Sequence, residues 1–175
     1  MKRNSMSSST RRATILLFAF ALAATGATVA ATASEGAPVG LSASTVAGPK
    51  VVMQVFKSPS CGCCKEWVAH VRAAGFDAQV VDMTDDELQA KKARLGVGPK
   101  LHSCHTAVVN GYVIEGHVPA ADIKRMLSDR PAIVGLAAPG MPRGSPGMEM
   151  PGGTKDPYNV VSFEKNGATR VFAKH

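Results

Sequence analysis

Aromatic side chains are scarce in this sequence, and what there is cannot stack on bases: one tryptophan and two tyrosines occur among 175 residues, none interleaved with lysine or arginine. Excess charge of one sign is scarce too. Lys2, Arg3, Arg11 and Arg12 stand in the first 33 residues with no acid beside them, so the formal +7 falls to sixteen bases against thirteen acids beyond that point. A protein that neutralises phosphates needs a basic stripe, so nucleic acid is not expected as a partner. No apolar run reaches the ~20 residues of a membrane span; the longest, Ile15 to Ala24, is followed by the interruptions Thr25, Gly26 and Thr28. With 19% charged residues and a mean hydropathy of +0.03, neither a disordered charged tail nor a polytopic membrane protein fits. No internal repeat is present. A hydrophobic content of 45% is enough for one small core.

What the N-terminus does contain is a basic stretch, a short apolar run, and small residues up to Ala31-Thr32-Ala33 before the polar Ser34-Glu35. That is the pattern of a cleaved signal peptide over residues 1–33, which leaves no membrane span in the mature chain. Arg11-Arg12 leaves open whether export is general or of the twin-arginine type. Residues 34–49, rich in Ala, Ser, Gly and Pro without periodicity, read as a linker. In an oxidising compartment cysteines default to disulfides, and any other role must be argued against that default.

From Val51 to Phe56 an apolar, β-branched run predicts a buried strand. Cys64, Trp67, Val68 and Val71 then fall on one helical face, with Gly75 at the C-terminal end. Gln79 to Met83 predicts a second strand, and Thr84 with Glu87 forms a capping box that opens a helix ending at Leu95-Gly96. Asn110-Gly111 joins two β-prone runs, Thr106–Val109 and Tyr112–Ile114, as a hairpin. Pro119 suits the first position of a helix with Ile123, Met126 and Leu127 inward. The predicted fold class is α/β, with the β-α-β-α-β-β-α order of a thioredoxin-like domain over residues 50–130. Residues 131–175 form a C-terminal extension packing on it, in which the Gly/Pro/Met-rich stretch 139–153 is not expected to be regular and a closing hairpin follows around Asn166-Gly167.

The chemistry concentrates in Cys61-Gly62-Cys63-Cys64, at the junction of the first strand and first helix, where the helix N-terminus favours thiolate over thiol. Cys61 and Cys64 have the spacing of a redox CxxC; the extra Cys63 allows three thiolates to converge on a soft metal. A bond between adjacent Cys63 and Cys64 would be strained. Cys104, just before the third strand, would face this turn in such a topology.

These residues, together with Ser103-Cys104-His105-Thr106-Ala107, Gly111 to Pro119, Gly140-Met141-Pro142 and Gly144 to Glu149, resemble the CopG-type periplasmic copper-resistance proteins. The resemblance spans about residues 50–175. It implies a thioredoxin-like fold in the periplasm that binds copper through the CxCC cysteines and the later cysteine, with a multinuclear thiolate-bridged cluster as one form of the site. A copper exporter or another copper-resistance protein is then a compatible partner besides copper ions.

Three readings of the four cysteines compete: a metal site, a thiol–disulfide pair in which Cys61 attacks and Cys64 resolves, and two structural disulfides. Clustering favours the first, because structural bridges gain most by closing long loops. The proline expected before the third strand of an oxidoreductase is replaced by Cys104-His105-Thr106. Zinc is the rival metal, but CxCC has no matching CxxC or HxxxH, and thiolate-rich sites accept Cu(I). Cys61, Cys63, Cys64 and Cys104 are the expected ligands, with His105, His117, Met141 and Met148 as auxiliary contacts. Trp67 reads as core, and His70 as a surface or interface residue.

Overall fold

The computed structural model describes residues 50–175; the signal peptide expected over 1–33 and the linker over 34–49 lie outside the described residues. Strand β1 (Val52–Lys57) alternates so that Met53 and Val55 are fully buried. Helix α1 (Gly62–Ala73) buries Cys64, Trp67, Val68 and Val71, the face that the spacing predicted. Strand β2 (Asp77–Asp82) lies parallel to β1, and helix α2 (Asp85–Arg94) follows. At its start Thr84 Oγ1 accepts from the Glu87 amide at 3.3 Å while Glu87 Oε2 accepts from the Thr84 amide at 2.8 Å, the reciprocal capping box.

A short 3-10 turn at Pro99–Leu101 leads into β3 (His105–Val109), and Asn110-Gly111, both at positive φ, turns the chain into β4 (Tyr112–Gly116). Helix α3 (Ala120–Asp129) buries Ile123 and Met126 and half-buries Leu127. Pro119 is not its first residue as predicted. With ψ at 139° the proline is extended and takes the preceding cap position, and the Ala120 amide donates to His70 Nε2 at 3.1 Å. Of the two places expected for His70, surface or interface, it takes the second: it is half-buried and tied to the start of α3.

Three further strands, β5 (Gly135–Ala138), β6 (Asn159–Phe163) and β7 (Thr169–Lys174), complete one seven-stranded sheet in the order β2-β1-β3-β4-β5-β6-β7. The α/β class holds, with β5 parallel to β4 and the last hairpin as expected. No periodicity announced β5, whose sequence is Gly-Leu-Ala-Ala. A Cβ at Gly135 would overlap the Val113 carbonyl oxygen, so the strand pairs this closely only without a side chain there. The stretch 139–153 is mainly turns, with one 3-10 turn at Pro151–Gly153.

Neighbouring strand residues point to opposite faces. One face packs Met53, Val55, Ile114 and Leu136 under Trp67 and Val71 of α1 and Ile123 and Met126 of α3. On the other face Val113, Ala137 and Phe163 pack with Val97, beyond the end of α2. The antiparallel register of β1 and β3 sets Lys57 opposite His105. That register brings the residues after β1 and those before β3 to the same end of the sheet, which is where the cysteines lie.

Candidate metal centre

Cys61 caps α1, its sulfur accepting from the Cys64 amide at 3.3 Å, so the CxCC turn is wrapped on a helix N-terminus. Cys61 and Cys64 are joined as a disulfide with Cα atoms 5.4 Å apart, whereas Cys63 and Cys104 are free. Cys63 Sγ lies 3.6 Å from Cys61 Sγ and 3.7 Å from Cys104 Sγ. All four sulfurs fall within 4.8 Å of one another. The cluster expected from sequence is thus assembled, with two of its four sulfurs oxidised to each other.

A second group shares Cys104: its sulfur, His105 and His117 also offer ligand atoms within 4.8 Å. His117 Nε2 is 3.0 Å from Cys104 Sγ, while its Nδ1 lies 2.8 Å from the Pro146 carbonyl oxygen. A carbonyl can only accept, so Nδ1 carries the proton and Nε2 turns its lone pair toward the sulfur. His105 Nδ1 lies 3.5 Å from the same sulfur, and the His105 ring packs tilted against Trp67 with ring centroids 4.3 Å apart, while the Trp67 indole donates to Val118 O. His105 Nε2 is buried without a hydrogen-bond partner.

Burial first, and then the nearby Cys63, pushes the Cys104 thiol up to about 12. Burial also depresses both histidines, His105 well below its usual 6.5 and further so by His117 and Lys92, so both imidazoles are neutral at neutral pH. Neutral imidazoles are the form that ligates metals. A soft cation could displace the Cys104 proton and meet imidazole nitrogen and sulfur together.

Two features of the fold support the site. Beneath the Cys104 loop, Lys92 of α2 and Glu115 of β4 form a fully buried ion pair, joined by Thr106: Lys92 Nζ donates to Thr106 Oγ1 at 3.0 Å, and Thr106 Oγ1 donates to Glu115. Glu115 also accepts the Ser103 amide at 2.6 Å, which fixes the residue before Cys104. Burial raises the Glu115 carboxyl above its usual range, against the pull of Lys92. A glutamate two residues after Val113 on one face of an apolar strand was a legible anomaly. Lys92, among the charges of Asp85–Arg94, was not.

The second support is the Gly144–Met148 turn, closed by Gly144 N to Met148 O at 2.7 Å and by Ser145 Oγ to Pro142 O at 2.6 Å, with Ser145 fully buried. Gly147, at φ +82°, presses onto α1: a Cβ there would stand 2.6 Å from the Trp67 backbone nitrogen and 2.7 Å from the Cys63 carbonyl oxygen. This close approach is what holds the Pro146 carbonyl against His117. Met148 ends the turn half-buried, and Met141 is 55% exposed at the edge of an open depression of about 280 Å³ lined by His102, Ser103, Cys104 and Gly140.

A family described as "Protein of unknown function, DUF411" matches residues 101–148, the stretch that carries Cys104, His105, His117, Met141 and Met148. No curated protein matches. Two solved structures are similar to this chain, described as copper resistance protein copG, form 1 and form 2. Each is 45% identical and covers 73% of this chain; the matches take in 98% and 99% of those chains, at TM-scores of 0.67 and 0.65.

Proposed function

Since the chain belongs to the family of the copper resistance protein copG, we propose that it binds copper at the centre formed by Cys61, Cys63, Cys64 and Cys104, with His117 and His105 completing the ligand set. The observation that carries this reading is the convergence on Cys104: a sulfur, a neutral imidazole with its lone pair aimed at it, and a buried imidazole nitrogen without a partner, next to three further sulfurs. A donor set of thiolate and imidazole is soft and suits Cu(I). Four sulfurs within bridging distance of each other also suit more than one ion. Met148, on the turn whose Pro146 carbonyl meets His117, is the auxiliary thioether of this reading.

The site works in the periplasm, as the signal-like N-terminus and the family together suggest, and serves copper resistance there. Among the described residues no helix is long and apolar enough to cross a membrane. Cys61 and Cys64 must be reduced before they ligate. The converse links the site to copper chemistry: when their two thiolates join as a disulfide, the two electrons released convert two Cu(II) to two Cu(I). A copper exporter or another resistance protein would then remove the product.

The Cys61–Cys64 disulfide at a helix N-terminus favours a second reading, a thiol–disulfide oxidoreductase in which Cys61 is attacked and Cys64 leaves. Reduced mature protein and its Cys104→Ser variant, loaded anaerobically with Cu(I), separate the two. The copper reading expects tight uptake of more than a single copper per chain with thiols shielded from titration, and severe loss of retention in Cys104→Ser. Wild-type protein that takes up no Cu(I) but cycles its disulfide with a thiol substrate establishes the oxidoreductase instead.

A further inference from the structure

Cys104 is covered on its inner side by His105 and His117, both fully buried. It meets the outside at the depression of about 280 Å³ whose other lining residues are His102, Ser103, Gly140 and Met141. The two chain segments across this opening are stitched together: Gly140 N donates to His102 O at 3.0 Å, and Ser103 Oγ donates to Gly140 O. On the far side of Met141, the Pro142 carbonyl accepts both the amide and the hydroxyl of buried Ser145. Met141 is therefore clamped by backbone contacts on either side while 55% of it is exposed, whereas Met53 and Met126 are fully buried.

His102 stands on the same rim. Its Nε2 lies 3.3 Å from the Val97 carbonyl oxygen. That partner can only accept, so Nε2 carries the proton and Nδ1 keeps its lone pair. A thioether binds without losing a proton, and imidazole nitrogen with thioether sulfur is a neutral donor pair of the kinds that copper accepts. The cavity around His70, Glu149 and Met150 offers no such pair. His70 Nε2 is occupied by the Ala120 amide, so in the neutral ring Nδ1 holds the proton.

Resting on the copper reading above, we propose that His102 and Met141 form a transfer site at the rim, which takes Cu(I) from a donor and hands it to Cys104. Copper enters by ligand exchange: His102 Nδ1 and Met141 Sδ hold the ion first. The Cys104 sulfur then replaces one of them, and its proton leaves to solvent. The oxidation state does not change, and the rim groups are regenerated for the next ion.

The test is the rate at which reduced protein withdraws Cu(I) from its bicinchoninate complex, followed by stopped-flow absorbance, with the final copper content measured on the same samples. Met141→Leu keeps the size of the side chain and removes the sulfur. His102→Gln keeps a donor for Val97 and removes the imidazole. Each is expected to slow transfer about tenfold, equivalent to about 1.4 kcal/mol, at the wild-type final content, with Met150→Leu as fast as wild type. Wild-type rates in Met141→Leu and His102→Gln overturn the rim site while leaving the copper reading intact. A lowered final content at a normal rate overturns it as well, by making Met141 a resident ligand. A wild-type protein that takes no copper from the complex removes the copper reading itself.

Discussion

Lys92 and Glu115 are both fully buried, and the consequences of separating them can be worked out from their partners. In Lys92→Met the Glu115 carboxylate loses its counter-ion and keeps only the donors Ser103 N and Thr106 Oγ1. An uncompensated buried charge costs about 3–5 kcal/mol, a large share of the stability of a domain this size. Adding Glu115→Gln removes that charge, leaves a carbonyl oxygen for the Ser103 amide, and should recover most of the loss. Urea unfolding of the reduced, metal-free protein measures both, and the double variant should differ from the sum of the single ones by more than about 2 kcal/mol. The deficit of Lys92→Met should also depend on pH. Burial already raises the Glu115 carboxyl, and without Lys92 it rises further. The folded state then binds a proton that the unfolded chain has released, so the variant loses stability as pH rises through the folded value. A Lys92→Met loss below about 1 kcal/mol, or single-variant losses that simply add, refutes the claim that this pair is buried and coupled.

Other outcomes follow from the packing around the cysteines. In Gly147→Ala the new Cβ meets the α1 backbone at Trp67 N and Cys63 O and sits at φ +82°; overpacking and the left-handed backbone together should cost about 2–5 kcal/mol. Thermal unfolding checks the cost, and the His117 imidazole resonances should shift as the Pro146 carbonyl moves away; an unchanged midpoint would mean that the turn is not seated on α1. His105 and His117, both buried and depressed from 6.5, bind protons more readily in the unfolded chain. Stability of the metal-free protein should therefore fall as pH drops below about 6.5, by up to about 1.4 kcal/mol per pH unit for each histidine. Unfolding free energies that are flat from about pH 7 to 5.5 would contradict neutral burial of both rings.

The histidines divide in a way that shows how far sequence reasoning reaches. His105 follows Cys104 on a short strand, where local pattern does not say which way its side chain faces; only the packing of Trp67 onto that face of β3 makes it buried. His117 lies just past the end of β4, and its orientation depends on a carbonyl 29 positions later in the chain. His70 showed nothing in sequence of its bond to the Ala120 amide. In each case the deciding partner is remote in the chain, and local pattern has no access to it.

The local signals were sufficient wherever one element decides its own form. The helical spacing of Cys64, Trp67, Val68 and Val71, the Thr84–Glu87 box and the Asn110-Gly111 turn each act over a few residues, and each is present as read. The CxCC turn announced clustered sulfur because three cysteines within four residues cannot avoid one another. Tertiary structure alone decided the rest. It set Cys104 beside Cys63 through the β1–β3 register. It buried Lys92 against Glu115, and it drew Gly-Leu-Ala-Ala into the sheet at the Val113 backbone. Those are contacts between distant segments, fixed by what fits against what once the chain has folded, and no window of neighbouring residues contains both partners.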